Sequence, residues 1–282
     1  MKTADGRKRT RLLRHEAGME EERWDRLAEE APLAITLQFE DRRARRVVEE
    51  ALAVTMRTPG DDADLALGLA VAEGVISAQE APEVHCVVED GAGGPRLVLE
   101  LPCAPRRPLR QRQRGLYANS SCGVCGKDAL DALRLPLPPP LDPLSPEVTA
   151  AALRRLPEAL RRHQHNFAET GGLHACALFT PAGELEAVFE DVGRHNALDK
   201  LIGQAARTGR WPLRKSVLLL SGRVSFELMQ KAAVAEVAVI AAIGAPSSLA
   251  VELAQHFGQT LVGFLRADRF NTYSHPQRIQ FS

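Results

Sequence analysis

The sequence contains no apolar run near the ~20 residues that span a bilayer; its longest, such as Val237 to Ala245, fall far short, which excludes a helical membrane span. It also lacks net charge. The 36 Lys and Arg balance 36 Asp and Glu, so a surface built throughout to grip nucleic acid is not expected. Cysteine is scarce and odd in number, at five. Only Leu12 and Leu13 follow the basic N-terminal residues, where a secretory signal needs an apolar core. A disulfide scaffold is therefore the wrong expectation, and a reducing cytoplasm is the expected location.

What is present is a composition of 45% hydrophobic and 26% charged residues over 282 positions, enough for a substantial core and one or two domains. The charge is unevenly placed: Arg7 to Arg14 is basic, Glu20 to Glu30 is mostly acidic, and Arg106 to Arg114 holds five arginines. Residues 1–30, charged and without apolar periodicity, predict a disordered tail with at most one short helix.

Beyond the tail, Leu33 to Phe39 and Val47 to Met56 have strand composition. The turn Arg57-Thr-Pro-Gly-Asp-Asp62 supplies aspartates to cap a helix from Ala63 to Val75. Glu83 to Val88 and Arg96 to Leu101 flank a glycine-rich hairpin turn, completing a small α+β unit assigned to 31–134. Six prolines between Leu135 and Pro146 predict an extended linker, 135–146, and place a domain boundary there. Ser145-Pro146-Glu147 then predicts a helix start, the helix running towards Phe167 with a kink at Pro157.

From Leu173 onward strands alternate with helices: strands 173–179, 185–192, 216–220, 238–243 and 260–265, helices 196–207, 226–234 and 249–257. This spacing predicts an α/β domain, 147–282, with a mostly parallel sheet covered on both faces. Ligands collect beyond the carboxyl ends of such strands. Three stretches fall there: Ser221-Gly222-Arg223, Gly244 to Ser248, and Arg266-Ala267-Asp268-Arg269. Their small residues, hydroxyls and arginines suit phosphate or a base edge, and the three together predict a nucleotide-like ligand.

Ser120-Ser-Cys-Gly-Val-Cys-Gly-Lys127 sets two thiols three positions apart. Structural zinc needs four ligands, and no second pair is available, because Cys86, Cys103 and Cys176 are scattered singly. A zinc deaminase would show His-x-Glu ahead of Pro-Cys-x-x-Cys, whereas here His174-Ala-Cys176 follows the thiols and has no glutamate in third place. Sulfur handling needs a nucleophilic, exposed and mobile cysteine beside positive charge, which Cys122 and Cys125 meet through Gly123, Gly126 and Lys127. Two alternatives stay open: a metal-binding protein using the thiols structurally, and a non-catalytic chaperone.

Five stretches, Arg57 to Gly68, Ser120 to Lys127, Glu169-Thr-Gly-Gly-Leu-His174, Asp191-Val-Gly-Arg-His-Asn-Ala-Leu-Asp-Lys200 and Tyr273 to Ile279, resemble the formate dehydrogenase accessory sulfurtransferase family, FdhD. The resemblance implies a sulfur carrier that takes persulfide sulfur from a cysteine desulfurase and delivers it to the molybdenum bis(molybdopterin guanine dinucleotide) cofactor before that cofactor enters formate dehydrogenase. It implies Cys122 as the persulfide-bearing residue, Cys125 as its companion, and Phe264, Leu265, Arg266, Ala267, Asp268 and Arg269 as the cofactor-binding run. It further implies a cytidine-deaminase-like, three-layer α/β C-terminal domain without zinc chemistry. A homodimer would suit a ligand carrying two guanine nucleotides. His195 and Arg194 carry two readings: chemistry near the cofactor, or a hydrogen-bond cluster between domains with Asp191. His174 is expected as a satisfied core histidine.

Overall fold

The computed structural model describes residues 6–41, 45–91, 94–106, 141–142 and 144–281. Cys122 and Cys125 lie outside the described residues, as does most of the proline-rich linker. Among the described residues no helix is long and apolar enough to cross a membrane.

The expected N-terminal tail is instead an antiparallel ribbon, β1 (Arg7–Glu16) and β2 (Met19–Ala28), paired from Arg7–Ala28 to Glu16–Met19. Ala17 (φ 52°) and Gly18 (φ 81°) form its two-residue turn, both in the left-handed region that matches the twist of a tight hairpin. Apolar alternation is absent because the ribbon has no buried face. It is held by its ladder, by Arg9 and Arg11 lying 4.3 and 5.2 Å over the Trp24 ring, and by ion pairs from Arg7 and Arg26 to Glu169.

A four-stranded sheet follows, in the order β4 (Arg46–Arg57), β3 (Ala31–Asp41), β6 (Gly94–Glu100), β5 (His85–Gly91). Leu33, Ile35, Leu37, Leu52, Leu97 and Leu99 are almost wholly buried on one face. Helix α1 (Asp62–Ala72) packs there, and its sequence is apolar nearly all round because both of its sides are covered. Its N-cap is Asp61 in the left-handed region, with no side-chain cap bond, and Asp62 pairs with Arg57 through two 2.8 Å bonds. The capping role expected of these aspartates is thus replaced by a strand-to-helix ion pair.

The second sheet has six strands in the order β13 (Asn271–Ser274), β12 (Thr260–Gly263), β11 (Val239–Ala242), β10 (Val217–Leu220), β8 (His174–Phe179), β9 (Leu185–Asp191). Only β10, β11 and β12 run parallel to one another; the β8–β9, β8–β10 and β12–β13 pairings are antiparallel. The mostly parallel sheet expected from the sequence is therefore a mixed sheet. The turn around Pro181-Ala-Gly183 is too short for a parallel crossover, which takes a dozen or more residues.

Side chains alternate between two apolar clusters. Leu218, Leu220, Ile240 and Leu261 face α4 (Arg194–Arg207), α5 (Phe226–Val234) and α6 (Ser248–His256), in a core continuous with α1 and the four-stranded sheet. Val217, Leu219, Val239 and Val262 face α2 (Ala150–His163). Helix α2 starts at Ala150 rather than at Pro146. Val148–Thr149 forms β7, paired in parallel with β14 (Ile279–Gln280), and the Thr149 hydroxyl accepts from the Ala152 N–H at 3.0 Å. A separate short helix, α3 (His165–Thr170), carries Phe167.

Candidate functional site

Two groups of motif residues separate in space. The first lies at the seam between α1 and α4. A Cβ on Gly68 would sit 1.8 Å from the Asp199 carbonyl oxygen, and one on Gly203 would sit 1.8 Å from that of Asp64, so the two helices meet backbone to backbone. Beside this crossing, the wholly buried Asp191 carboxylate lies 2.8 Å from Lys200 Nζ and accepts from the N–H groups of Thr58 (3.2 Å) and Gly193 (2.9 Å) and from Asn196 Nδ2 (3.0 Å). Lys200 also donates to the Thr58 carbonyl at 3.0 Å. Nearby, Asp64 holds Arg207 through bonds of 2.8 and 3.1 Å, and Lys231 lies 2.5 Å from Asp199, whose carboxyl burial pushes up against the opposing pull of that ammonium.

Thus Asp191, Asn196 and Lys200 join the two sheets. Arg194 and His195 do not enter this cluster. His195 Nε2 lies 2.9 Å from Glu227 Oε2 and 3.2 Å from Ser225 Oγ, at the start of α5, and this bond holds the Glu227 carboxyl below its ordinary range. Arg194 Nε is buried without a hydrogen-bond partner.

The second group lies along the carboxyl edge of β10, β11 and β12, where the three expected stretches converge. Gly244 N–H donates to the Gly222 carbonyl (3.2 Å), Val224 to Ala245 (3.0 Å), Ser247 to Val224 (3.0 Å) and Phe264 to Gly244 (3.0 Å). A Cβ on Gly244 would come within 2.6 Å of the Gly222 carbonyl oxygen, and one on Gly263 within 2.9 Å of Pro246 and of Tyr273. These glycines let the loops stack backbone on backbone.

The predicted residues play unequal parts here. Ser221 is a structural tie: its N–H donates to the Ala175 carbonyl (3.0 Å) and its hydroxyl accepts from the Ala175 N–H (2.8 Å). Leu265 is wholly buried. Arg266 donates to the carbonyls of Ile243 (2.7 Å) and Leu265 (2.8 Å), which fixes its guanidinium across the edge. Arg223, Ala267, Asp268 and Arg269 are exposed, and so is Phe264, at 43%. The left-handed residue of the last loop is Phe264 (φ 52°), which turns its ring outward. Phe264, Arg266, Arg269 and Asn271 line a cavity of about 220 Å³. Asn271 was not legible as a site residue. Its signal is its position, the first of a strand directly after the arginine-containing loop.

His174, expected in the core, is half-buried at the same edge, with Gly222 close enough that a Cβ there would lie 3.1 Å from its Nδ1. Burial, then the neighbouring charges of Arg194, His195 and Arg223, hold its imidazole below the ordinary histidine value. Helices α5 and α6 both begin at this edge, so their positive ends point towards it. Cations, backbone donors and an exposed aromatic face together suit an anionic ligand that carries a flat ring.

The FdhD/NarQ family model matches residues 28–280. The chain belongs to the FdhD/NarQ family. Among curated relatives, the Streptomyces coelicolor protein named "Sulfur carrier protein FdhD" is 46% identical over 278 residues, covering 96% of this chain and 95% of the relative. A protein of the same name from Sulfurisphaera tokodaii is 38% identical over 255 residues, covering 90% and 92%. Among solved structures, a Desulfotalea psychrophila protein described as a formate dehydrogenase accessory protein superposes with a TM-score of 0.71, covering 97% of this chain and 99% of that one at 24% identity, which shows the shared fold.

Proposed function

We propose that this protein is a sulfur carrier in formate dehydrogenase maturation, accepting sulfane sulfur on Cys122 and handing it to a guanine-dinucleotide molybdenum cofactor held as substrate at the carboxyl edge. The observation that carries the reading is membership in a family whose relatives, one of them 46% identical over 96% of the chain, bear the name sulfur carrier. The Cys-x-x-Cys stretch supplies the chemistry. The Cys122 thiolate attacks the outer sulfur of a desulfurase persulfide, a new S–S bond forms, and the desulfurase cysteine leaves as thiolate. Gly123, Gly126 and Lys127 favour an accessible thiolate at that position, and a reducing cytoplasm keeps it free. Cys125 is its companion in the relay.

The carboxyl edge supports the cofactor half of the proposal. Phe264 offers a ring face for a guanine, and Arg269 and Arg223 offer exposed cations for a diphosphate. Arg266 lines the same cavity as Phe264 and Arg269, and Ala267 and Asp268 complete the loop. The strand order β9-β8-β10-β11-β12-β13, an antiparallel hairpin beside three parallel strands with helices on both faces, supports a cytidine-deaminase-like reading of this unit.

The test is intact-protein mass spectrometry after incubation with a cysteine desulfurase and cysteine. A reductant-sensitive gain of about 32 Da, lost in Cys122→Ala, is the expected result. No adduct on the wild type while the desulfurase turns over would overturn the carrier reading.

A further inference from the structure

Side chains alternate between the two faces of the β1–β2 ribbon, and one of those faces is rich in arginine. It carries Arg7, Arg9 and Arg11 from β1 and Trp24 and Arg26 from β2, with Arg9 directly opposite Arg26 and Arg11 directly opposite Trp24. Like charges opposed across a ladder destabilise it, so the ribbon keeps these cations at a cost in stability. Glu169 pairs with Arg7 and Arg26 where the ribbon meets α3. It does not reach the other two. Among the described residues, Arg9 and Arg11 have no carboxylate and no hydrogen-bond partner, and both are exposed.

What holds them is Trp24, whose ring centre lies 4.3 and 5.2 Å from the two guanidinium carbons. Stacking on an indole occupies the flat face of a guanidinium and leaves the N–H groups at its rim available. The ring also limits where the two heads can go, so less freedom is lost when they bind an anion. Arg9 and Arg11 spring from strand positions roughly 7 Å apart, which is also the spacing of every second residue in any extended chain. Further along the same face the pattern changes sign: Glu22 and Glu20 stand opposite Leu13 and His15, and His15 lies 3.2 Å from Glu20. A nucleic-acid strand laid along the ribbon would therefore meet carboxylates directly after two cations. A short acidic run of protein avoids them, and the residue that follows it on the same side can cover Leu13, which is 50% exposed.

We infer that the face formed by Arg9, Arg11, Trp24 and Leu13 docks an extended acidic segment of a partner protein. Two carboxylates, two positions apart in that segment, each take one guanidinium fork in charge-assisted hydrogen bonds, and an apolar side chain two positions further on packs against Leu13. The attraction is between exposed charges, so it weakens as salt rises.

The experiment is fluorescence anisotropy of the full chain with the labelled peptide Thr-Glu-Thr-Glu-Thr-Leu-Thr. It is compared with Thr-Thr-Glu-Glu-Thr-Leu-Thr, which has the same composition with adjacent glutamates, and with a short labelled oligodeoxythymidine. The spaced peptide should bind roughly tenfold more tightly than the adjacent one, whose two acids leave an extended chain on opposite sides. Arg9→Gln with Arg11→Gln should weaken the spaced peptide by a similar factor. Arg9→Glu with Arg11→Glu should transfer binding to Thr-Lys-Thr-Lys-Thr-Leu-Thr, which reports a ribbon that is still folded. Equal binding of the two glutamate peptides, an unchanged affinity in the glutamine variant, no uptake of the lysine peptide by the reversed chain, or tighter binding of the oligonucleotide than of the spaced peptide would each overturn the inference. None of these results bears on sulfur transfer by Cys122, which is read separately as a gain in mass.

Discussion

At the seam, Lys200 and Asp191 meet at 2.8 Å with side chains at most 1% exposed; along the carboxyl edge, Arg269 and Asp268 lie 3.6 Å apart with 76% and 74% of their side chains in solvent. The seam spends its charge on internal partners. A buried ammonium there is tolerable because a carboxylate and carbonyls surround it, and removing one partner leaves the other stranded. The edge has backbone that is just as tightly packed, with glycines at van der Waals limits, but it presents cations outward. Glycine follows the same division: Gly68 and Gly203 let two helices touch, whereas Gly222, Gly244 and Gly263 let three loops form one continuous surface at the carboxyl edge. Motifs that look alike in sequence therefore divide into those that hold the sheets together and those that are free to bind.

The largest effect is expected from Asp191→Asn. It leaves the Lys200 ammonium buried without a counter-charge and should cost about 3–5 kcal/mol, read as a fall in the midpoint of chemical denaturation. A midpoint within error of the wild type would remove the seam from the account. Next, Gly203→Ala places a methyl on the Asp64 carbonyl and forces α1 and α4 apart, at roughly 3 kcal/mol, visible as a lowered Tm. An unchanged Tm would mean that the helices do not pack as closely as described.

Arg269→Ala sharpens the contrast from the other side. Stability should move by less than about 0.5 kcal/mol, since an exposed pair contributes little. Affinity for guanosine diphosphate, measured by calorimetry, should drop roughly tenfold as one charge-assisted contact is lost. Equal losses in both quantities would make Arg269 a structural residue.

The smallest effect concerns pH. The folded-state value of His174 is depressed, so the unfolded chain takes up a proton there before the folded one does. Its contribution to stability is complete above about pH 6.5 and is lost as pH falls from there through the folded value. An NMR titration should place the His174 imidazole below the ordinary histidine value, and a value at or above 6.5 would contradict the burial described.

Most of the fold was legible because buried strands and amphipathic helices leave strong periodic signals. Val217 to Leu220 and Val239 to Ala242, apolar without alternation, could only be strands buried on both faces. The ribbon was not legible, because its strands have no apolar face and are specified by a two-residue turn and cross-strand charges. The helix start at Ala150 was missed because Val148–Thr149 pairs with residues 279–280, a contact between parts of the chain far apart in sequence. At the site, the strand-end position of Ser221 to Arg223 and Arg266 to Arg269 could be read from the alternation of elements, whereas Phe264 and Leu265 entered only through the family resemblance. That Ser221 and Arg266 are tied to backbone while Arg269 stays free depends on neighbouring loops, which no local pattern encodes.

The contrast between seam and edge is tested most directly by hydrogen–deuterium exchange with and without guanosine diphosphate. Slowed exchange is expected in segments 221–224, 244–247 and 264–271, with 57–68 and 191–203 unchanged. Protection confined to the seam segments, or none at the three edge loops when the nucleotide is bound, would contradict it.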